Sequence, residues 1–570
     1  MKKFTLALVL ALCTLSINYA VANNPPSTKT AVEAKCAWGS STASPATPIT
    51  YNKMYASAQE WRIDHAPNGE CNVGLVYMPN SRNIGVSELV AFSENGMNPE
   101  KTKAICVNGS DPTCDPNKWA FLLNQSTFYK CTSDRDLNCV YEFSAVDANG
   151  VKVTPTFLRS FPDSKVRPGF SGGDVKYPVG GNPGIWSINT PNGEVKILIN
   201  GWFEMSWDSR GGRWEPRPGN QFQLFLLPIK ESPVLASSNN QYCYARDKDT
   251  CITLEPSLPS GYTFKVSLNL TNSATMFLNG RLDKPIVYTE NIAGGTRFTI
   301  EAAPSPALSV AQWVPKSIIP KSVIDKVGSK VNGPWYEDVL KWSNSEFFMS
   351  GGVEASVELL NGMLPYIGDR ANFVQYVWSA TNNPSSDRYN QSCQKEAEGQ
   401  ILGVVSTNAT AYRGDPPTYN RAEGALEYEI AAPHFMPDGK TDSIGRYAIN
   451  MNAKFLQCIL GVSKVPNTAQ VGLTYGSGEV SVSTLAVKQD KDWLRVQLDN
   501  FHFSAPKITI KFASTAPSAQ TPTTASTPVT KSPSVAAPAK KTTITCTKGK
   551  LTKKIIGVNP KCPKGFSVKK

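Results

Sequence analysis

A glycosidase needs two carboxylates across a sugar and flat aromatic rings to stack on it. Near residue 204 the sequence offers both residue types. On the strand that begins near Val195, Trp202, Glu204 and Ser206 share one face and Phe203, Met205 and Trp207 the other, and Asp208, Trp214 and Glu215 follow. No spacing in the sequence sets Glu204 opposite a second acid, and a Trp-rich core edge on a β-sandwich strand explains the same pattern. The run is therefore read first as structural, with Trp202, Glu204 and Trp207 as candidate carbohydrate-binding residues and no catalytic residue assigned.

Gly169-Phe170-Ser171-Gly172-Gly173 satisfies G-x-S-x-G, the pattern of a serine nucleophile turn. Such a turn needs an apolar strand before the serine and, in α/β-hydrolases, a helix after it. The flanks Lys165-Val166-Arg167-Pro168 and Asp174-Val175-Lys176-Tyr177-Pro178 supply neither. In the chymotrypsin-like order only His65 precedes the serine, beside the turn residues Pro67-Asn68-Gly69, so Ser171 reads as part of a glycine-rich surface turn. His502, between Phe501 and Phe503, falls on the polar face of an alternating strand. His434 stands at a strand end before the turn Pro437-Asp438-Gly439. With no partner in view, all three histidines read as structural or solvent-facing. Asp134, Asp136, Asp247 and Asp249 could hold calcium at loop tips, but the full D-x-[DN]-x-[DN]-G loop is absent, and no metal or other cofactor is expected.

The cysteines are the strongest architectural signal. Setting aside Cys13 leaves an even twelve of the thirteen, as an oxidising compartment favours. Cys106 and Cys114, Cys131 and Cys139, and Cys243 and Cys251 each enclose seven turn-rich residues, which predicts hairpin tips clamped by a disulfide. Nearest-neighbour pairing then joins Cys36 with Cys71, Cys393 with Cys458, and Cys546 with Cys562. Zinc ligation is disfavoured because there is no C-x-x-C and only three histidines.

The elements that carry these residues are mostly strands. Tyr262, Phe264, Val266, Leu268 and Leu270 alternate with polar neighbours, as do the runs Leu494–Leu498 and Ile508–Phe512, and Asn68-Gly69 and Asp438-Gly439 mark turns. The expected fold class is mainly β, with several antiparallel β-sandwich-like modules and a short α-containing middle segment. Helical spacing is confined to Ser322–Lys330, Trp335–Trp342 and Val353–Leu360, with Asn361-Gly362 ending the last. The boundaries read as a signal peptide at 1–22, a disulfide-rich β domain at 23–160, a β-sandwich-like domain at 161–304, an α-containing segment at 305–380, a β module at 381–512, a Pro/Thr/Ser/Ala linker at 513–539 and a basic two-cysteine module at 540–570.

Charge is distributed unevenly. Residues 540–570 hold ten lysines and no acid, while the whole chain has a net charge of +12. Removing those ten charges and those of Lys2 and Lys3 leaves residues 23–539 with none. Lys548, Lys550, Lys553, Lys554, Lys561, Lys564, Lys569 and Lys570 are the expected envelope-binding residues, acting through their field on an anionic polymer or surface. The N-terminal pattern, with Lys2 and Lys3, an apolar run and Ala20-Val21-Ala22, predicts a secretory signal peptide, and no later run approaches the roughly 18 apolar residues of a transmembrane helix. Nucleic acid is not an expected partner, and the ligand of the body is left open.

Thr545-Cys546-Thr547-Lys548-Gly549-Lys550, Lys553-Lys554, Pro560-Lys561-Cys562-Pro563-Lys564-Gly565-Phe566 and Lys569-Lys570 together resemble the C-terminal signature of uncharacterised secreted proteins of actinobacteria. Gly403–Thr410, Ala431-Ala432-Pro433-His434-Phe435 and Cys458 resemble a β-rich module that often precedes that signature. The resemblance covers the chain from near Thr381 onward and implies localisation at the cell envelope; it implies no activity, catalytic residue or cofactor. The resulting expectation is a non-enzymatic, secreted or envelope-associated structural or binding protein, with a secreted carbohydrate-active hydrolase or carbohydrate-binding protein as the alternative.

Overall fold

The computed structural model describes residues 121–161, 181–208, 222–234, 243–271, 276–315, 354–382, 401–465, 467–475, 480–503 and 507–512, apart from 248 and 367. It also describes 72–77, 88–92, 103–106, 213–215, 346–349, 542–548, 551–557, 567–568 and the single residues 322 and 393. His65, Ser171 and one or both cysteines of the pairs 36/71, 106/114 and 546/562 lie outside the described residues, as do the expected helices at 322–330, apart from residue 322 itself, and 335–342. The chain divides into two compact units, Met1–Ser514 and Thr515–Lys570.

The first unit is mainly β and largely antiparallel, built on a long hairpin of Met276–Ile292 and Gly295–Pro315. Strands of 17 and 21 residues exceed the usual length, and each changes neighbours along its course. The half of the hairpin nearest its turn joins Thr263–Thr271, Cys139–Val146 and Lys152–Val153 in one sheet. The other half of Met276–Ile292 enters a second sheet, between Phe373–Thr381 and, in parallel, Ile401–Thr407. The changeover falls at an irregularity between Asp283 and Ile286, where Lys284 has a positive φ of 52°. Gly295–Pro315 runs unbroken across position 304.

The second sheet extends from the hairpin in both directions. One side continues through Phe373–Thr381, Phe222–Pro233, Gly193–Asp208, Gly184–Thr190 and Thr156–Ser160. The other continues through Ile401–Thr407, Ile444–Asn452, Trp493–His502 and Lys488–Asp490. A third sheet orders Thr418–Asn420, Ala425–Ala431, Lys507–Phe512, Thr468–Thr474 and Val480–Ala486.

Alternation along the strands assigns their side chains to separate cores. Phe264, Val266 and Ile300 of the first sheet meet Ile197, Ile199, Leu224, Leu226 and Trp378 of the second. The intervening Leu198, Phe225 and Leu227 pack on the opposite face with Ile185, Ile252 and Leu254. A further core gathers Val405, Tyr447, Ile449, Val496 and Leu498 with Tyr428, Ile430, Val471, Ile508 and Ile510 of the third sheet. Thr263–Thr271 departs from the half-buried expectation, because Ser267 and Asn269 are buried as well. Their polar groups are satisfied there: Thr299 Oγ1 donates to Ser267 Oγ at 2.9 Å, and Asn269 donates to Asp136 O and accepts from Arg297. Gly280 is forced by close approach, since a Cβ there would stand 2.0 Å from Ser379 O.

The helix expected at 353–360 is Glu354–Met363, running through Asn361-Gly362 into a 3-10 turn at Leu364–Tyr366. A second helix, Ala453–Leu460, is capped by the Asn452 side chain, which accepts from Lys454 N and Phe455 N, and ends at left-handed Gly461. The disulfides Cys131–Cys139, Cys243–Cys251 and Cys393–Cys458 are present, with Cα separations of 5.2, 5.3 and 5.6 Å. The tip between Cys243 and Cys251 is the expected hairpin, with Ala245–Asp247 antiparallel to Thr250–Leu254. The Cys131–Cys139 loop is different: Tyr129–Lys130 runs parallel to Cys139 and Val140, so the chain makes a full turn between the two cysteines. Short-range cysteine spacing fixes closure of a loop but leaves the direction of return open.

Candidate functional site

In the second unit, Thr542–Lys548 pairs antiparallel with Leu551–Gly557, and Ser567–Val568 adds to the other side of Thr542–Lys548. The register sets Lys554 level with Thr545, Lys553 and Val568 level with Cys546, and Thr552 and Ser567 level with Thr547. Lys553 and Lys554, adjacent in the chain, therefore occupy opposite sides of the sheet. Lys550, Lys561, Lys564, Lys569 and Lys570 lie outside the described residues.

In the first unit, Gly193–Asp208 lies between Phe121–Thr127 and, further along, Arg213–Glu215. Phe203 enters the core, as alternation predicts. Trp202 on the opposite face is only 7% exposed, so its ring packs against protein and presents little area to a sugar. Glu204 is half-buried and level with Gln125, itself level with Glu88. Ser206 is level with Glu215. The backbone register thus places Glu215 diagonally across from Glu204 on the same side, a relation the sequence spacing did not reveal. The strand position Trp207 is level with Trp214.

The histidines divide. His502 is exposed, with Nδ1 3.7 Å from Asp442, while Phe501 and Phe503 are buried on either side of it. His434 has a carboxylate partner that the sequence did not disclose. Asp369 Oδ1 accepts from His434 N at 2.9 Å, and Asp369 Oδ2 contacts His434 Nδ1. The backbones reinforce the pair: Phe435 N donates to Asp369 O, Ala371 N to Phe435 O, and Ser443 N to His434 O. The turn beyond is tied by Asp438, which takes the Thr441 hydroxyl and the amides of Thr441 and Lys440; these bonds hold its carboxyl at about 2. Ser443, beside the pair, is fully buried and not placed to meet a substrate.

A buried cation anchors the same region. Arg281 donates to the carbonyls of Thr407, Ala409 and Thr410, and its guanidinium lies 4.6 Å from the Tyr412 ring centroid. Asn279, on the same side of the strand, donates to Gly414 O. Burial lowers the Arg281 pKa, while the Tyr412 and Tyr428 hydroxyls oppose that shift. Each of these contacts positions the 407–414 segment.

At the Cys131–Cys139 tip, Asp136 accepts from the amides and hydroxyls of Thr132 and Ser133. Burial works against ionisation, yet those bonds hold the carboxyl at about 2. Its oxygens are engaged within the loop, and among the described residues no group of three or more His, Cys, Asp or Glu side chains is arranged to hold a metal. No helix among them is long and apolar enough to cross a membrane. No protein-family model and no curated protein matches the chain.

Proposed function

We propose that the protein is a secreted, envelope-associated binding or structural protein whose β body is held at the cell envelope by its lysine-rich C-terminal module. The observation that carries this reading is the partition of charge: ten lysines and no acid in 540–570, against a body without net charge. The Pro/Thr/Ser/Ala stretch at 513–539 spans roughly 80 Å if extended at about 3.1 Å per residue, enough to hold the body away from a surface. Localisation of full-length protein and of a chain lacking Lys540–Lys570 tests it. Full-length protein should sediment with the envelope and be released on raising salt from about 0.1 M to about 1 M, as the Debye length falls from about 10 Å to about 3 Å. The truncated chain should appear in the medium; equal retention of both overturns the reading.

A carbohydrate-binding or carbohydrate-hydrolysing body is the second reading, favoured by one observation, the register that brings Glu215 to the same side as Glu204. Polysaccharide turnover that is lost in Glu204→Gln would establish it in place of the first.

A further inference from the structure

Arg281 is 2% exposed and stands beside Tyr412 and Tyr428, two members of the core shared with the third sheet. Its two Nη nitrogens give their hydrogen bonds to the carbonyls of Thr407, Ala409 and Thr410, which act as acceptors but bring no formal charge. Among the described residues Arg281 forms no ion pair, and its buried Nε–H has no acceptor. Buried charges in proteins are normally paired. The nearby acids are engaged elsewhere: Asp283, two residues on, pairs with Arg446, and Asp415 acts electrostatically on Tyr428 and not on Arg281. The tyrosines do not supply the charge either, because burial pushes both hydroxyls up from their usual value and keeps them neutral. Tyr428 donates to Arg413 O. Tyr412 is 6% exposed, its ring centroid lies 4.6 Å from the guanidinium, and its hydroxyl has no hydrogen-bond partner among the described residues.

We infer that the Arg281–Tyr412 contact is a buried site for a small monovalent anion, chloride above all, held by Arg281 Nε–H and the Tyr412 hydroxyl. Two observations select this class of ligand. The core holds one positive charge with no carboxylate on it, which one negative charge neutralises. Both Nη nitrogens are already bound to carbonyls, whereas a carboxylate or a phosphate is matched best by the paired donors of a guanidinium fork. A spherical halide accepts single donors from separate side chains without that geometry. The bound anion would tie the strand Met276–Ile292 to the 407–414 segment, which Arg281 already clamps.

Urea unfolding of the full-length protein tests the inference, with chloride raised from about 1 mM to about 100 mM and gluconate holding the ionic strength constant. An ion that binds only the folded state stabilises it by mass action, so the midpoint should rise progressively with chloride. Arg281→Gln should abolish the response. Tyr412→Phe keeps the ring and the packing, and should need about tenfold more chloride for the same gain, the scale of losing one hydrogen bond to a charged acceptor. Crystals grown in bromide should show anomalous scattering beside Arg281 Nε. A midpoint indifferent to chloride overturns the inference, and so does a chloride response unchanged in Tyr412→Phe, which remains decisive if Arg281→Gln does not fold. Bromide found only at surface positions overturns it as well.

Discussion

Asp369 grips His434 twice, one carboxylate oxygen on its backbone N–H at 2.9 Å and the other on Nδ1. Asp369 adopts a left-handed φ of 47°, a conformation Asp and Asn tolerate better than most residues. The pair joins the segment before Phe373–Thr381 to the 434–443 loop. Asp369→Ala should cost about 1 to 2 kcal/mol, the range for bonds to a half-exposed charged group. Asp369→Asn should cost less, since it keeps an acceptor for the His434 amide and tolerates the same backbone. Urea midpoints of the three proteins check the order, and an alanine variant as stable as wild type would refute it.

Arg281 should be far less tolerant. Arg281→Leu leaves the carbonyls of Thr407, Ala409 and Thr410 without their buried donors, and a loss of about 3 kcal/mol or more is expected. Arg281→Lys should fall between leucine and wild type, because an ammonium cannot span three carbonyls as a planar guanidinium does. Equilibrium unfolding measures both, and leucine at wild-type stability would show that the clamp is dispensable.

The Asp136 tip predicts an acid-side dependence. Its folded pKa of about 2 lies below the roughly 3.9 of an unfolded aspartate. The stability it contributes is therefore fully present above about pH 4 and is lost as pH falls through about 2. Asp136→Asn should be less stable than wild type at pH 6, and the gap should close on acidification toward pH 2. A gap that stays constant with pH would rule out the carboxylate as its source.

Much of the architecture was legible because strand alternation is a local signal. Leu494, Val496 and Leu498, Ile508 and Ile510, and Phe501 and Phe503 are buried where period two places them. The three described cysteine pairs follow from nearest-neighbour spacing. What escaped is relational. His434 and Asp369 are separated by 65 residues, and no spacing rule links them. Glu215 comes level with Ser206 only once Gly193–Asp208 and Arg213–Glu215 are paired. Arg281 would pass for an exposed residue of an alternating strand, yet it is buried because the carbonyls of 407–410 stand in for a carboxylate. Burial of Ser267 and Asn269 depends on neighbours supplied by Thr299, Arg297 and the 131–139 loop.

The disulfides should differ in worth according to the loops they close. Cys393–Cys458 has a sequence separation of 65, against 8 for Cys131–Cys139 and for Cys243–Cys251. Loop-closure entropy then gives roughly 4 kcal/mol for the long loop and roughly 2.5 kcal/mol for each short one. The long bridge also holds the Ala453–Leu460 helix, and Cys393 is itself a buried member of the core beneath it. Cys393→Ser/Cys458→Ser should therefore lower the urea midpoint more than Cys131→Ser/Cys139→Ser. The reverse order would mean that packing around the short loop, and not chain entropy, sets the contribution of these bridges.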